Sequence, residues 1–173
     1  MQIFIETKRL LLRELIPSDI QGMFEMDADP EVHTYLGNQP VKTMEECREA
    51  IDFIRQQYLD NGIGRWAVIE KETNHFIGWA GFKLTKENIN NHSDFYDLGY
   101  RLIKKYWRKG YATEAAKACI DYGFHKMNLR EIYARTMTDN LSSRKVLEKA
   151  GFEFAGTFNL NGLPHVWYKI IRA

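Results

Sequence analysis

An α+β fold with a central mixed, mostly antiparallel sheet flanked by helices is predicted by three features of the 173-residue sequence. Pairs of β-rich runs are joined by short polar connections, which implies antiparallel hairpins. One helical stretch, from about Thr113 to Lys126, lies between two strands and favours a parallel neighbour. Internal repeats, low-complexity tracts and Pro/Ser-rich linkers are absent, so residues 1–173 are expected to form one domain, and a composition of 45% hydrophobic and 13% aromatic residues suffices for one core.

Taken in order, Ile3 to Leu15 has the pattern of one extended strand with a dense Leu10, Leu11, Leu12 run, ended by Pro17. Ser18 with Gln21 three residues on predicts a capping box for a short helix burying Ile20, Met23 and Phe24. Thr43 with Glu46 repeats the device before a longer helix, in which Cys47, Ile51, Ile54 and Tyr58 recur at helical spacing. Arg65–Glu70 and Phe76–Leu84 are strands of a hairpin, and polar residues from Lys86 to Ser93 make a loop. A strand from Tyr96 to Ile103 then leads through KKYWRKG into the helix near Thr113, with Ala112, Ala116, Cys119, Ile120 and Gly123 on one face. Glu131–Thr138 is a strand, Asn140–Ala150 a helix stopped by Gly151, and Phe152–Phe158 with His165–Arg172 a hairpin through Asn161-Gly162.

Charge and composition exclude several functions. Lys+Arg total 24 against 23 Asp+Glu, a net +1 that provides no global field for nucleic acid. No stretch approaches the roughly 18 apolar residues of a membrane span, and no basic-then-apolar leader opens the chain, so a soluble, cytoplasmic protein without membrane partners is expected. Cys47 and Cys119 occupy apolar helical positions, as buried free thiols do. The five histidines, His33, His75, His92, His125 and His165, have no metal-type spacing, and no metal site is expected. Gly62-Ile63-Gly64-Arg65-Trp66-Ala67 fits a dinucleotide pattern formally, but it precedes a strand instead of following one. The sequence also lacks a GxSxG elbow and a phosphate-loop GK[ST]. Trp66, Trp79 and Trp167 read as packing residues.

The segment with chemical content is KKYWRKGYATE. A glycine between strand and helix lets backbone amides converge, and the helix N-terminus adds unsatisfied N–H groups and a favourable dipole, a combination suited to phosphate. Lys104, Lys105, Arg108 and Lys109 are expected to add side-chain charge.

The run DLGYRLIKKYWRKGYATEA resembles the acyl-CoA-binding motif of the GNAT acetyltransferase superfamily: Gly110 and Ala112 fill its last two positions, while Trp107 stands where Gln or Arg is usual and Arg108 where glycine is frequent. The tryptophan is similar to the ribosomal-protein N-terminal acetyltransferase (RimJ/RimL-like) branch, as are TKRLLLREL with Asp19 and the run NLSSRKVLEKAGF from Asn140 to Phe152. The resemblance implies a GNAT-like fold with acetyl-CoA as cosubstrate. It further implies that backbone groups of Leu102 and Ile103 pair with the pantetheine amides. Arg108, Lys109, Gly110, Tyr111, Ala112 and Thr113 would hold the pyrophosphate, and Asn140 and Ser143 would contact the cofactor.

Acetyl transfer needs a neutral amine and a donor for the developing oxyanion, such as an N–H of the Tyr96–Ile103 strand. An α-amino group, with a pKa near 8, is roughly a tenth neutral at pH 7, whereas a lysine amine near 10.4 is almost wholly protonated. Asp97 is the candidate base, because acidic residues often occupy the matching position of this branch. Glu114 has an electrostatic reason to sit in a first helical turn. The tyrosine that protonates the thiolate in many relatives is replaced by Leu147, which leaves Ser143 as the candidate acid. The expected partner is an amine acceptor, a peptide N-terminus or a small molecule, bound near residues 20–60 and 86–96. The alternative is a catalytically silent acyl-CoA-binding domain. The HVWYKIIR strand is a candidate sheet edge, compatible with a monomer or a homodimer.

Overall fold

The computed structural model describes residues 1–173. Its strands are β1 (Ile3–Glu6), β2 (Leu10–Arg13), β3 (Arg65–Glu70), β4 (His75–Thr85), β5 (Phe95–Leu102), β6 (Glu131–Met137), β7 (Glu153–Leu160) and β8 (Leu163–Ile171). The helices are α1 (Ile20–Asp27), α2 (Met44–Asn61), α3 (Tyr111–His125) and α4 (Leu141–Ala150). The eight strands form one sheet in the order β1-β2-β3-β4-β5-β6-β8-β7, antiparallel throughout except between β5 and β6. This is the mixed, mostly antiparallel α+β architecture expected from the hairpins and the single crossover.

Two local expectations are corrected. The first extended segment is a hairpin and not one strand: the Thr7 N–H donates to Leu10 O at 2.9 Å, and the Leu10 N–H donates to Thr7 Oγ1 at 2.9 Å, which closes a turn without glycine or proline. The Ser18/Gln21 box is not made either. Asp19 does that work, its carboxylate accepting from the Ile16 N–H at 2.9 Å while Arg13 clamps both oxygens at 2.7 and 2.8 Å. By contrast, Thr43 and Glu46 cap α2 reciprocally, Gly62 ends α2 and Gly151 ends α4. The HVWYKIIR segment belongs to β8, which lies between β6 and β7, so the free edges are β1 and β7.

Paired strands place partner residues on one face. Phe82↔Leu98, Ala80↔Tyr100 and Gly78↔Leu102 face α3 and α4, whereas Trp79↔Arg101, Gly81↔Gly99 and Lys83↔Asp97 face α1. Trp66 anchors the α3 side, with ring centroids 5.0 Å from Phe4, 5.0 Å from Tyr122 and 6.1 Å from Phe82. Trp66→Ala should cost about 3–5 kcal/mol of stability, measured by urea denaturation, because the rings around it cannot collapse into the space. Cys47 and Cys119 are buried free thiols, and burial pushes them up to about 11 and about 12, so neither is a nucleophile at neutral pH.

Candidate active site

The parallel pair is where the sheet opens. β5 and β6 share a single register pair, Asp97↔Tyr133, and beyond it the strands diverge. A cavity of about 220 Å³ lies at the divergence, lined by Leu98, Gly99 and Tyr100 of β5, by Arg135, Thr136 and Met137 of β6, and by Asn140, Ser143 and Leu147 around α4. Tyr35, Leu36 and His165 complete it from the α1 side. Because side chains alternate along a strand, the cavity meets both faces of the sheet.

The β5 edge toward this opening is set by register. The Ile103 N–H donates to Ile77 O at 2.9 Å, so the alternating groups of Leu98, Tyr100 and Leu102 point away from β4. Two expectations change as a result. Ile103 turns its amide to β4, and Leu102 O accepts from the Trp107 indole at 2.9 Å, which leaves the Leu102 N–H as the available group of that pair. Trp107 therefore braces the loop against β5, a role compatible with its half-exposed surface.

The loop after β5 turns through two left-handed residues into a helix start with free amides. Arg108 has φ +59° and Gly110 φ +80°, both left-handed, and Gly110 is the N-cap of α3. A glycine fits that conformation without strain, whereas Arg108 holds it despite its Cβ. The first α3 bond runs from Glu114 N to Gly110 O at 3.0 Å, so the amides of Tyr111, Ala112 and Thr113 lack intrahelical acceptors. Of the four basic side chains, two are committed elsewhere: Lys104 pairs with Glu31, and Lys105 with Glu25 at 2.8 Å. Arg108 and Lys109 form no ion pair within the chain.

The β1–β2 turn supports this helix start. Glu114 accepts from Thr7 Oγ1 at 2.7 Å, from the Arg9 N–H at 3.0 Å and from Arg9 Nε at 2.6 Å, while Arg9 Nη1 donates to Lys109 O at 2.8 Å. Burial pushes the Glu114 carboxyl upward, but the Thr7 and Arg9 bonds outweigh it and hold it below its ordinary 4.5. A lowered folded pKa contributes stability that is present above the unfolded value and lost as pH falls through the folded one. Glu114→Gln should therefore be less stable than the native chain by about 1–2 kcal/mol at pH 7, a figure discounted for the exposed Arg9 guanidinium, and the gap should close as pH falls through the lowered folded pKa in parallel thermal melts.

Asn140 and Ser143 meet at the start of α4. Asn140 Oδ1 accepts from the Ser143 N–H at 3.2 Å and caps the helix. Ser143 Oγ lies 3.0 Å from the Tyr100 hydroxyl, which also donates to Ser143 O at 3.1 Å. Burial holds the Tyr100 phenol far above its usual range and hence protonated. Leu147, one face further along α4, is buried against the cavity.

Asp97 does not line the cavity. It is buried, with Oδ2 2.8 Å from Arg65 Nη2, while Arg65 Nη1 donates to Asp97 O at 2.7 Å and to Gly81 O. Gly99 makes room for this pair, since a Cβ there would lie 2.8 Å from the Arg65 guanidinium. Two further cavity groups, Arg135 and His165, carry no local signal in the sequence. The His165 Nδ1–H donates to Leu163 O at 2.9 Å, because a carbonyl can only accept, and Nε2 of the neutral ring then carries the lone pair.

No helix is long and apolar enough to cross a membrane. The diverging strands with their cavity, the outward β5 groups and the unsatisfied amides at the start of α3 follow one another along β5 and the loop after it. The sequence matches the acetyltransferase (GNAT) domain family over residues 9–153. It is 33% identical over 150 residues, 87% of this chain and 82% of the relative, to an uncharacterized N-acetyltransferase, p20, of Bacillus licheniformis. A GNAT-family acetyltransferase structure from Bacillus anthracis superposes with TM-score 0.81 at 28% identity, covering 98% of both chains. The fold of RimL, a ribosomal-protein alpha-N-acetyltransferase solved with coenzyme A, agrees with TM-score 0.80 at 19% identity, over 98% of both chains. The chain belongs to the GNAT acetyltransferase family, enzymes that transfer an acetyl group from acetyl-CoA to an amine.

Proposed function

We propose that this enzyme acetylates a primary amine, a protein N-terminus or a small-molecule amine, by direct attack within a ternary complex. The observation that carries the proposal is the single-pair opening between β5 and β6, which joins the α3/α4 face to the α1 face through one cavity. Acetyl-CoA, held by the Leu102 N–H, the Arg108–Thr113 cradle and the α4 start, would supply an activated acyl group.

The chain's own residues then divide the work. His165 lines the cavity with Nδ1 engaged by Leu163 O, and in the neutral ring its Nε2 is the group assigned to take a proton from the incoming ammonium. Outward N–H groups of β5 offer hydrogen bonds to developing negative charge. The Tyr100–Ser143 hydroxyl pair provides a proton source where Leu147 provides none. Asp97, whose charge is balanced by Arg65, serves as a buried anchor for β5 and not as the base.

Leu147 favours one other reading, a silent acyl-CoA-binding domain. The two separate on a thiol-release assay with N-terminal peptides and amino acids as acceptors. Turnover lost in His165→Gln with acetyl-CoA affinity retained supports catalysis, and binding without turnover of any acceptor supports the silent domain.

A further inference from the structure

The cavity lining holds one permanently charged side chain, Arg135, and no carboxylate. Arg135 pairs in register with Trp167, and its neighbour Met137 with His165, so the guanidinium belongs to the α1-side wall together with Tyr35, Leu36 and His165. Its Nη1 is buried without a hydrogen-bond partner, and its Nε lies 3.9 Å from Asp97 Oδ1, beyond hydrogen-bond reach. Asp97 Oδ1 is likewise unpartnered, while Oδ2 is taken by Arg65. Two guanidiniums thus share one carboxylate, which leaves the group with one net positive charge, and Arg135, 20% exposed and lining the cavity, is its member open to a ligand. Glu87, in the loop after β4, also feels Arg135, but it is exposed and solvent-screened.

Buried donors without acceptors are uncommon, and a guanidinium is the side chain that binds a carboxylate through two parallel bonds. A polyamine would instead bring several ammonium groups beside Arg135 with no lining carboxylate to balance them, a like-charge contact that disfavours binding. Resting on the acetyltransferase reading of this cavity, we infer that Arg135 is an acceptor-binding residue and that the acceptor is an amine carrying a carboxylate close to the reacting nitrogen. The carboxylate pairs with Arg135 while the amine faces His165. The carboxylate can be the α-carboxylate of a free amino acid or the side chain of an acidic residue at a peptide N-terminus.

The test measures kcat/KM for thiol release with three probe sets: L-amino acids against their α-carboxamides, C-terminally amidated peptides beginning with Asp or Glu against those beginning with Asn or Gln, and spermidine. Acetyl-CoA affinity of the same preparation is followed by calorimetry. The expected result is a preference of about 10- to 100-fold for one carboxylate set over its amide partners. The set that shows it identifies the source. Arg135→Gln should abolish the preference by raising acceptor KM, with acetyl-CoA affinity unchanged, and Arg135→Lys should recover part of it. Equal use of amides, better use of spermidine, a preference that survives Arg135→Gln, or no acceptor turned over by a protein that binds acetyl-CoA would each overturn the inference. Failure to bind acetyl-CoA would instead overturn the reading of the cavity on which the inference rests, and the inference with it.

Discussion

Asp97→Asn is expected to lower stability by about 3–5 kcal/mol, read as a fall in Tm and in the urea midpoint, because it strands a buried guanidinium. Arg65 and Asp97 are 12% and 7% exposed, and burial pushes the Arg65 pKa down while Asp97 pushes it back up. Without the carboxylate, Arg65 keeps its bonds to Gly81 O and Asp97 O but has lost its counter-charge at the centre of the sheet. Arg65→Met/Asp97→Leu should recover only part of the loss, since it removes the Arg65 charge along with its partner but leaves Arg135, 3.9 Å from Asp97, without that carboxylate. The same variants decide the role of Asp97. A base would make Asp97→Asn inactive yet stably folded, whereas an anchor makes it unstable, with residual activity at low temperature.

Ser143→Ala is expected to reduce kcat by about 100-fold, the lower range for loss of a positioned proton donor. The helix cap survives the change, because Asn140 accepts from the Ser143 main-chain N–H and not from its hydroxyl. Folding should therefore stay close to native, and acetyl-CoA affinity measured beside kcat separates a lost cofactor contact from lost proton transfer. Tyr100→Phe should produce a smaller loss, since it removes the hydroxyl that orients Ser143 Oγ at 3.0 Å. An unchanged kcat in Ser143→Ala would remove the hydroxyl pair from proton transfer.

The parts of the molecule legible in its sequence are those fixed by near neighbours. Thr43 and Glu46 lie three residues apart, the Asn161-Gly162 turn adopts the paired positive φ values of 51° and 78°, and the glycine-led entry into α3 follows from strand, loop and helix composition, although the helix begins at Tyr111, two residues before the expected Thr113. The β1–β2 turn was hidden because Thr7-Lys8-Arg9 contains no turn-forming residue. It is held instead by Thr7 and by Glu114, 107 positions away. Lys104 and Lys105 looked available for phosphate because their partners, Glu31 and Glu25, approach only once α1 packs beside the loop. Arg65–Asp97 depends on the registers Arg65↔Gly81 and Gly81↔Gly99, which no local pattern encodes. Arg135 and His165 become site residues through the divergence of β5 from β6, a feature of tertiary packing.

The central claim, that the slot between β5 and β6 and the cradle beyond it bind acetyl-CoA, is tested most directly by calorimetric titration of the native chain beside Arg108→Glu/Lys109→Glu. Saturable one-site binding by the native protein, weakened about tenfold or more by the charge reversal, is the predicted result. Absence of binding at near-millimolar acetyl-CoA would contradict the account.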